Sequence, residues 1–270
     1  MSFLSRMKLV YQISLISVVA LIIFAVVGVT QFIADQQRQS AQTIAEAASA
    51  DQSLVDGISR AFLNARRHEK DFVLRKNEEY VASHAAAAMY VRAGLDDLAK
   101  REELGELLGK VDQARAAFED YVSEFTTVVD LQRKVGFDQS SGLLGEMRNA
   151  ATEVETALGK IAQLEAMLGL SNTKDISIAV LKMRRDEKDF LASLDPAYLD
   201  SVTATAKEFD AALQKAGSIQ DDKKAELGKL MASYISDFKA LADAVLAREE
   251  SLARLSAYYS AVEPVLAELS

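Results

Sequence analysis

Between positions 9 and 34 the chain carries no charged residue, and from 18 to 27 every residue is apolar. About 20 residues of helix cross a hydrocarbon core, so this run is long enough for a transmembrane helix over residues 9–33. Arg6 and Lys8 precede it and Asp35 follows it. The basic flank stays cytoplasmic, which sends the following residues to the far side. A cleaved signal peptide has a shorter apolar stretch and a small-residue cleavage site, and Gln31-Phe32-Ile33-Ala34-Asp35-Gln36 is a poor one. The expected organisation is a cytoplasmic N-terminus at 1–8, a membrane helix at 9–33 and an extracytoplasmic region at 35–270. No second apolar run follows in the sequence, and a second span is expected after residue 270.

Beyond the membrane run, apolar residues recur at helical spacing, and breakers divide the region into six helical stretches. The first ends near 75, before Lys76-Asn77, and the second covers about 78–100. The third covers about 102–134, and 136–142 is the clearest loop in the chain. The fourth is long, about 143–192, weakened at 169–172. Asp195-Pro196 reads as a cap and first turn and opens a fifth stretch to about 216. Gly217-Ser218 separates it from a long sixth, from about 221 to the end. At 1.5 Å per residue, a first helix of about 40 residues outside the membrane reaches roughly 60 Å. If the first and fourth helices each run through two layers, the helices one to four form one layer and one, four, five and six the other. The expectation is all-α: a transmembrane helix and two stacked four-helix bundles of about six helices, two or more of them long and shared. This scheme leaves the sixth helix longer than its layer requires.

Composition agrees with helix. Only 2 Pro and 12 Gly interrupt 270 residues, and 50% are hydrophobic, which fits an almost wholly helical chain. The net charge of −9 leaves no basic stripe to neutralise phosphates, so a nucleic-acid partner is not expected. With no cysteine there is neither a disulfide nor a thiolate nucleophile or ligand.

One charged phrase occurs twice. Arg66-Arg67-His68-Glu69-Lys70-Asp71-Phe72 returns as Arg184-Arg185-Asp186-Glu187-Lys188-Asp189-Phe190, identical at six of seven positions. Tyr121-Val122-Ser123-Glu124-Phe125 is echoed by Tyr234-Ile235-Ser236-Asp237-Phe238 at a similar offset. Together they mark an internal repeat, about 35–137 and 143–268. On a helix, Ile58, Phe62, Ala65 and Phe72 form an apolar seam, as do Ile176, Val180, Met183 and Phe190. Glu69 and Glu187 occupy the position that continues each seam. Arg66 and Arg184 lie about 60° aside, Lys70 and Lys188 at the edge, and Arg67 and Arg185 nearly opposite. A glutamate in a bundle core is costly unless paired. Two readings follow. One is a buried Glu–Arg pair that fixes helix register. The other is a polar pocket in which Arg and Lys hold a carboxylate ligand, the guanidinium fork matching it bidentately. The candidate ligand-binding residues are Arg66, Glu69, Lys70, Arg184, Glu187, Lys188, Tyr121 and Tyr234. The tyrosines are either core aromatics or hydrogen-bond donors to a ligand.

A membrane-anchored helical region carrying Arg-Arg-x-Glu-Lys-Asp-Phe twice resembles the helical bimodular (HBM) sensor domain of bacterial methyl-accepting chemotaxis proteins. The segment from Gly136-Phe137-Asp138-Gln139 to Glu146-Met147-Arg148 is also similar to the middle of such receptors. The resemblance covers about 35–270. It implies two stacked four-helix bundles, each able to hold a small organic acid such as a tricarboxylic-acid-cycle intermediate or acetate, with the inner arginine matching Arg66 and Arg184. It implies a chemoreceptor of the bacterial inner membrane with its sensor region in the periplasm, acting as a parallel homodimer and signalling by helix displacement. Two alternatives remain: the ectodomain of a sensor histidine kinase, and a membrane-anchored coiled-coil spacer without ligand. One departure stands out, since His68 occupies the position of Asp186.

Other chemistry is not expected. His68, Glu69 and Asp71 are adjacent on a helix, with His84 nearby in sequence, and point different ways, so they do not converge on a metal. There is no Gly-rich phosphate loop and no catalytic carboxylate pair, so neither enzyme activity nor a cofactor is expected. Tyr258-Tyr259-Ser260 reads either as an aromatic belt near the membrane or as exposed helix. The pairs Asp96-Asp97, Glu102-Glu103 and Glu249-Glu250 read as solvated faces.

Overall fold

The structure, a computed structural model, describes residues 9–101 and 107–269, without the side chains of 9–16, 43, 44, 47 and 107. Arg6, Lys8, the Glu102-Glu103 pair and the expected start of the third stretch lie outside the described residues. Those described form seven helices and no strand: α1 Leu9–Arg75, α2 Glu79–Ala99, α3 Leu107–Val135, α4 Gly142–Met167, α5 Lys174–Ser193, α6 Ala197–Lys215 and α7 Asp221–Ala267.

The apolar run continues without a break into the rest of α1, and Ser17–Gln42 is long and apolar enough to cross a membrane, none of it buried against protein. Packing begins further on. One apolar cluster joins α1 from Val55 to Phe72 with α2, α3 and the end of α7 from Leu255. The other joins α4, α5, α6 and the first part of α7, with Val135 from the end of α3. Phe72, Phe118, Phe190, Phe209 and Phe238 are among the fully buried side chains. Each stabilises the fold by about 1.5–3 kcal/mol relative to exposure.

Two expectations about helix sharing are corrected. The fourth stretch is not one helix: it breaks into α4 and α5 around Gly169, whose φ is 70°. The break falls at the 169–172 weakening. Nor does α1 pass through both layers. Its buried residues all belong to the first cluster, while α7 divides its own between the two. The excess length of the sixth stretch is therefore the length needed to cross both clusters. A polar ladder fixes its direction: Lys110 pairs with Glu268 at 3.0 Å, Ser251 bonds Glu124, and Arg248 donates to Gln132 at 2.9 Å. As α3 rises, α7 descends. Arg101 pairs with Asp51 at 2.9 Å at the same end as Glu268, the end from which α1 leads back to its apolar run.

The loop at 136–142 depends on glycine. Gly136 has φ 109° and Gly142 φ 57°, and a Cβ at Gly136 would meet the Ser141 carbonyl oxygen at 2.0 Å. Two other connections match each other across the repeated phrases. Lys76 and Leu194, 118 residues apart, both adopt left-handed φ, 51° and 58°. In each, the amide donates to the repeat phenylalanine, Phe72 or Phe190, at 2.7 Å. Next, Asn77 caps the Glu79 amide and Asp195 caps the Ala197 amide, both at 2.9 Å.

Candidate functional site

Both copies of the charged phrase put the glutamate inside. Glu69 is 0% exposed and Glu187 2%. Each sits one turn before the repeat phenylalanine, which makes an edge-on contact at 5.7 Å with Phe125 in one half and Phe238 in the other. The burial of that ring sets the helix face, and the seam then carries the carboxylate inward.

The buried charge is matched at once. Arg66 Nη1 donates to both Glu69 oxygens at 2.6 Å, Tyr121 donates its hydroxyl proton to Oε2 at 3.0 Å, and Lys70 Nζ lies 3.2 Å from Oε1. In the second half Arg184 pairs with Glu187, and Tyr234 donates to Oε2 at 2.8 Å. The same Arg–Glu–Tyr cluster is thus built twice, bridging α1 to α3 and α5 to α7. Burial pushes both tyrosine hydroxyls well above their ordinary pKa, and the adjacent carboxylates add to it. Both therefore stay protonated donors at neutral pH. Lys70 joins its cluster from the edge, whereas Lys188 is exposed, with no ion pair to it among the described residues. Arg67 is exposed, and Arg185 reaches back to Asp186 at 3.1 Å.

The copies run in opposite directions. Against α7, Phe62 meets Tyr259 and Arg66 meets Ser256, so α1 is antiparallel to α7. Glu187 meets Tyr234 and Phe190 meets Phe238, so α5 is parallel to it.

The surroundings also differ. In the first half, Arg66 lies 4.3 Å over the ring of Tyr259, which stacks on Phe62 at 4.8 Å. Half-buried Tyr259 is therefore part of the cluster and not a free surface residue. His84 stacks on Phe125 at 3.9 Å, with Nε2 3.3 Å from the Tyr121 oxygen. Because the Tyr121 proton goes to Glu69, that oxygen accepts from His84 Nε2–H. Burial, reinforced by His68 and Arg92, pulls the His84 pKa down to about 4. The repeat partner of His84 is the buried Val202. In the second half, Arg184 Nε faces Glu155 Oε1 at 3.2 Å, and Asp186, at the position of His68, accepts from Ser201 at 2.6 Å. In the sequence His84 stands out only as a candidate metal ligand, and nothing marks Ser256 or Glu155. His84 could have been found from the buried face of α2, but Glu155 has no signal of its own.

Both arginines keep some access to solvent, with side chains 18% and 19% exposed. Chemically, each cluster is a carboxylate site already filled by the protein's own glutamate. Two cavities lie elsewhere. One, of about 140 Å³, is bordered by Phe72, Gln132 and Arg248 where the two apolar clusters meet. The other, about 820 Å³, lies between α4 and the start of α7. No group of acidic or histidine side chains suited to a metal occurs among the described residues. The described acidic pairs are engaged in ion pairs: Asp96 with Arg115, Asp97 with Lys100, Glu249 with Arg248 and Glu250 with Arg254.

No protein-family model matches the chain, and no curated protein matches it in sequence.

Proposed function

We propose that the chain is the membrane anchor and periplasmic sensor region of a bacterial transmembrane chemoreceptor, with two stacked four-helix bundles that respond to small organic acids. The observation that carries this reading is the Arg–Glu–Tyr cluster built twice, each arginine partly open to solvent. A ligand carboxylate competes with Glu69 for Arg66, or with Glu187 for Arg184. Displacing the glutamate removes the tyrosine link between the paired helices, and the bundle shifts to the packing that the ligand binds better. Because α1 and the end of α7 lie side by side toward the apolar run, a slip between them passes along α1 to the membrane. Two copies paired along α1 make the signalling unit. The ectodomain of a sensor histidine kinase would use the same region in the same way.

One observation favours a second reading, a ligand-free spacer in which the clusters only fix helix register: Glu69 is wholly buried with both oxygens fully engaged. Thermal melting of the full chain in lipid nanodiscs with a panel of organic acids separates the two. A sensor melts higher with millimolar ligand of micromolar affinity, and Arg66→Lys with Arg184→Lys abolishes the shift. A spacer gives no shift with any acid.

A further inference from the structure

The end of α4 exposes more aliphatic surface than a solvated helix needs. Leu164 is 62% exposed, and Met167, Leu168 and Leu170 are exposed with it. They do not lie on a flat face. Leu164, Leu168 and Leu170, with Ile161, form one wall of the 820 Å³ cavity, and Ile219, Leu227 and Leu230 from the start of α7 form the other. That volume falls within the range of small-molecule sites, which are mostly apolar with a few polar groups.

The two halves end differently. In the first half, α1 continues past Val55, and Leu54, Val262 and Leu266 close that end of the cluster. In the second half α5 starts at Lys174 beside the end of α4, and the cavity is lined by α4, α7 and the turns next to them, with no residue of α5 or α6.

The polar groups show which head group fits. Glu165 at the closed end is buried and held below the usual carboxylate range; burial opposes its charge, but bonds from Ser218 and Thr173 outweigh it. It accepts from the Thr173 amide at 2.9 Å, the Thr173 hydroxyl at 2.8 Å and Ser218, so its charge is already satisfied. Lys223 and Glu226 neutralise each other across 2.7 Å. Lys160 borders the cleft with no ion pair to it among the described residues. Glu153, the other unpaired charge on the rim, is seven residues away along α4, about 10 Å. From Lys160 to Leu168 the helix rises about 12 Å, lined by aliphatic side chains.

We infer that this cleft binds an aliphatic carboxylate of medium chain length, its head group at Lys160 and its chain along Ile161, Leu164 and Leu168 against α7. The site is independent of Arg66 and Arg184, so it stands or falls apart from the arginine clusters.

The test is photo-crosslinking of the full chain in lipid nanodiscs with decanoate bearing a terminal diazirine, mapped by peptide mass spectrometry. The expected adducts fall within 157–170 and 219–230, and free decanoate competes them away while decanol and decylamine do not. Lys160→Glu and Leu164→Asp change exposed side chains, so helicity by circular dichroism is retained, and each lowers labelling about tenfold. Arg66→Lys with Arg184→Lys leaves it unchanged. Adducts confined to 17–42, competition by decylamine equal to that by decanoate, or labelling unaffected by both cleft variants would overturn the proposal.

Discussion

The hydroxyl of Tyr234 donates a 2.8 Å hydrogen bond to the buried carboxylate of Glu187, tying α7 to α5 through a charge that water does not reach. Removing the donor leaves one lone pair of a buried anion unmet. Tyr234→Phe is expected to cost about 1–3 kcal/mol, read from chemical denaturation, and Tyr121→Phe a similar amount. A loss below a few tenths in both would mean that the tyrosines are core aromatics whose hydroxyls do not matter.

Removing an arginine is the harsher change. Arg66→Ala strips Glu69 of its main partner inside the protein, and breaking a buried pair on one side costs roughly 3–5 kcal/mol. Replacing Arg66 and Glu69 together by Met and Leu is expected to recover most of that loss, because an apolar pair leaves nothing unsatisfied. A double variant as unstable as Arg66→Ala would contradict this account.

Acid is expected to weaken the first half selectively. His84 is a base whose folded pKa, about 4, lies below its ordinary 6.5. The neutral form is therefore the one the fold favours. Its contribution is complete above pH 6.5 and declines as pH falls toward 4, where the loss reaches about 3 kcal/mol. Around the ring stand Tyr121, with Glu69 behind it, and the charges of His68 and Arg92. In His84→Val, which copies Val202, melting temperature should fall less steeply between pH 7 and 4 than in the parent. Equal slopes would rule His84 out as the source.

Lys76 is exposed and holds φ at 51°, a conformation that costs a residue with a Cβ about 1–2 kcal/mol. Lys76→Gly is expected to raise stability by about 0.5–1 kcal/mol after the added freedom of the unfolded chain is subtracted. Gly94→Ala acts in the opposite sense: its Cβ would lie 2.5 Å from Ile58 Cγ1 on α1. Overpacking of this kind costs about 1–3 kcal/mol. Paired denaturation curves decide both signs.

Much of this was legible in the sequence. The seam Ile58, Phe62, Ala65, Phe72 put Glu69 inside and Arg66 beside it, and both lie there, because a 3.6-residue period converts spacing into direction. The equivalence of Tyr121 and Tyr234 was readable from the repeated Tyr-x-Ser-x-Phe phrase. What periodicity could not show was which helix crosses both clusters: apolar spacing marks a buried face but not the bundle it faces, so α1 and the fourth stretch were expected in the place that α7 holds. The break at Gly169 was legible only as a weakening at 169–172, and the partner role of Glu155 was hidden, since it depends on what a neighbouring helix presents.

The crossing of α7 bears on where the protein can be cut. The loop at 136–142 is the natural boundary in the sequence, and it separates the two copies of the repeat. Yet a fragment ending there would keep only three of the four helices around Phe62 and Phe118, since Leu255, Val262 and Leu266 arrive from the far end of the chain. The repeated stretch of sequence is therefore not a portable unit of folding: the cluster of the first half becomes whole only when 255–266 are in place.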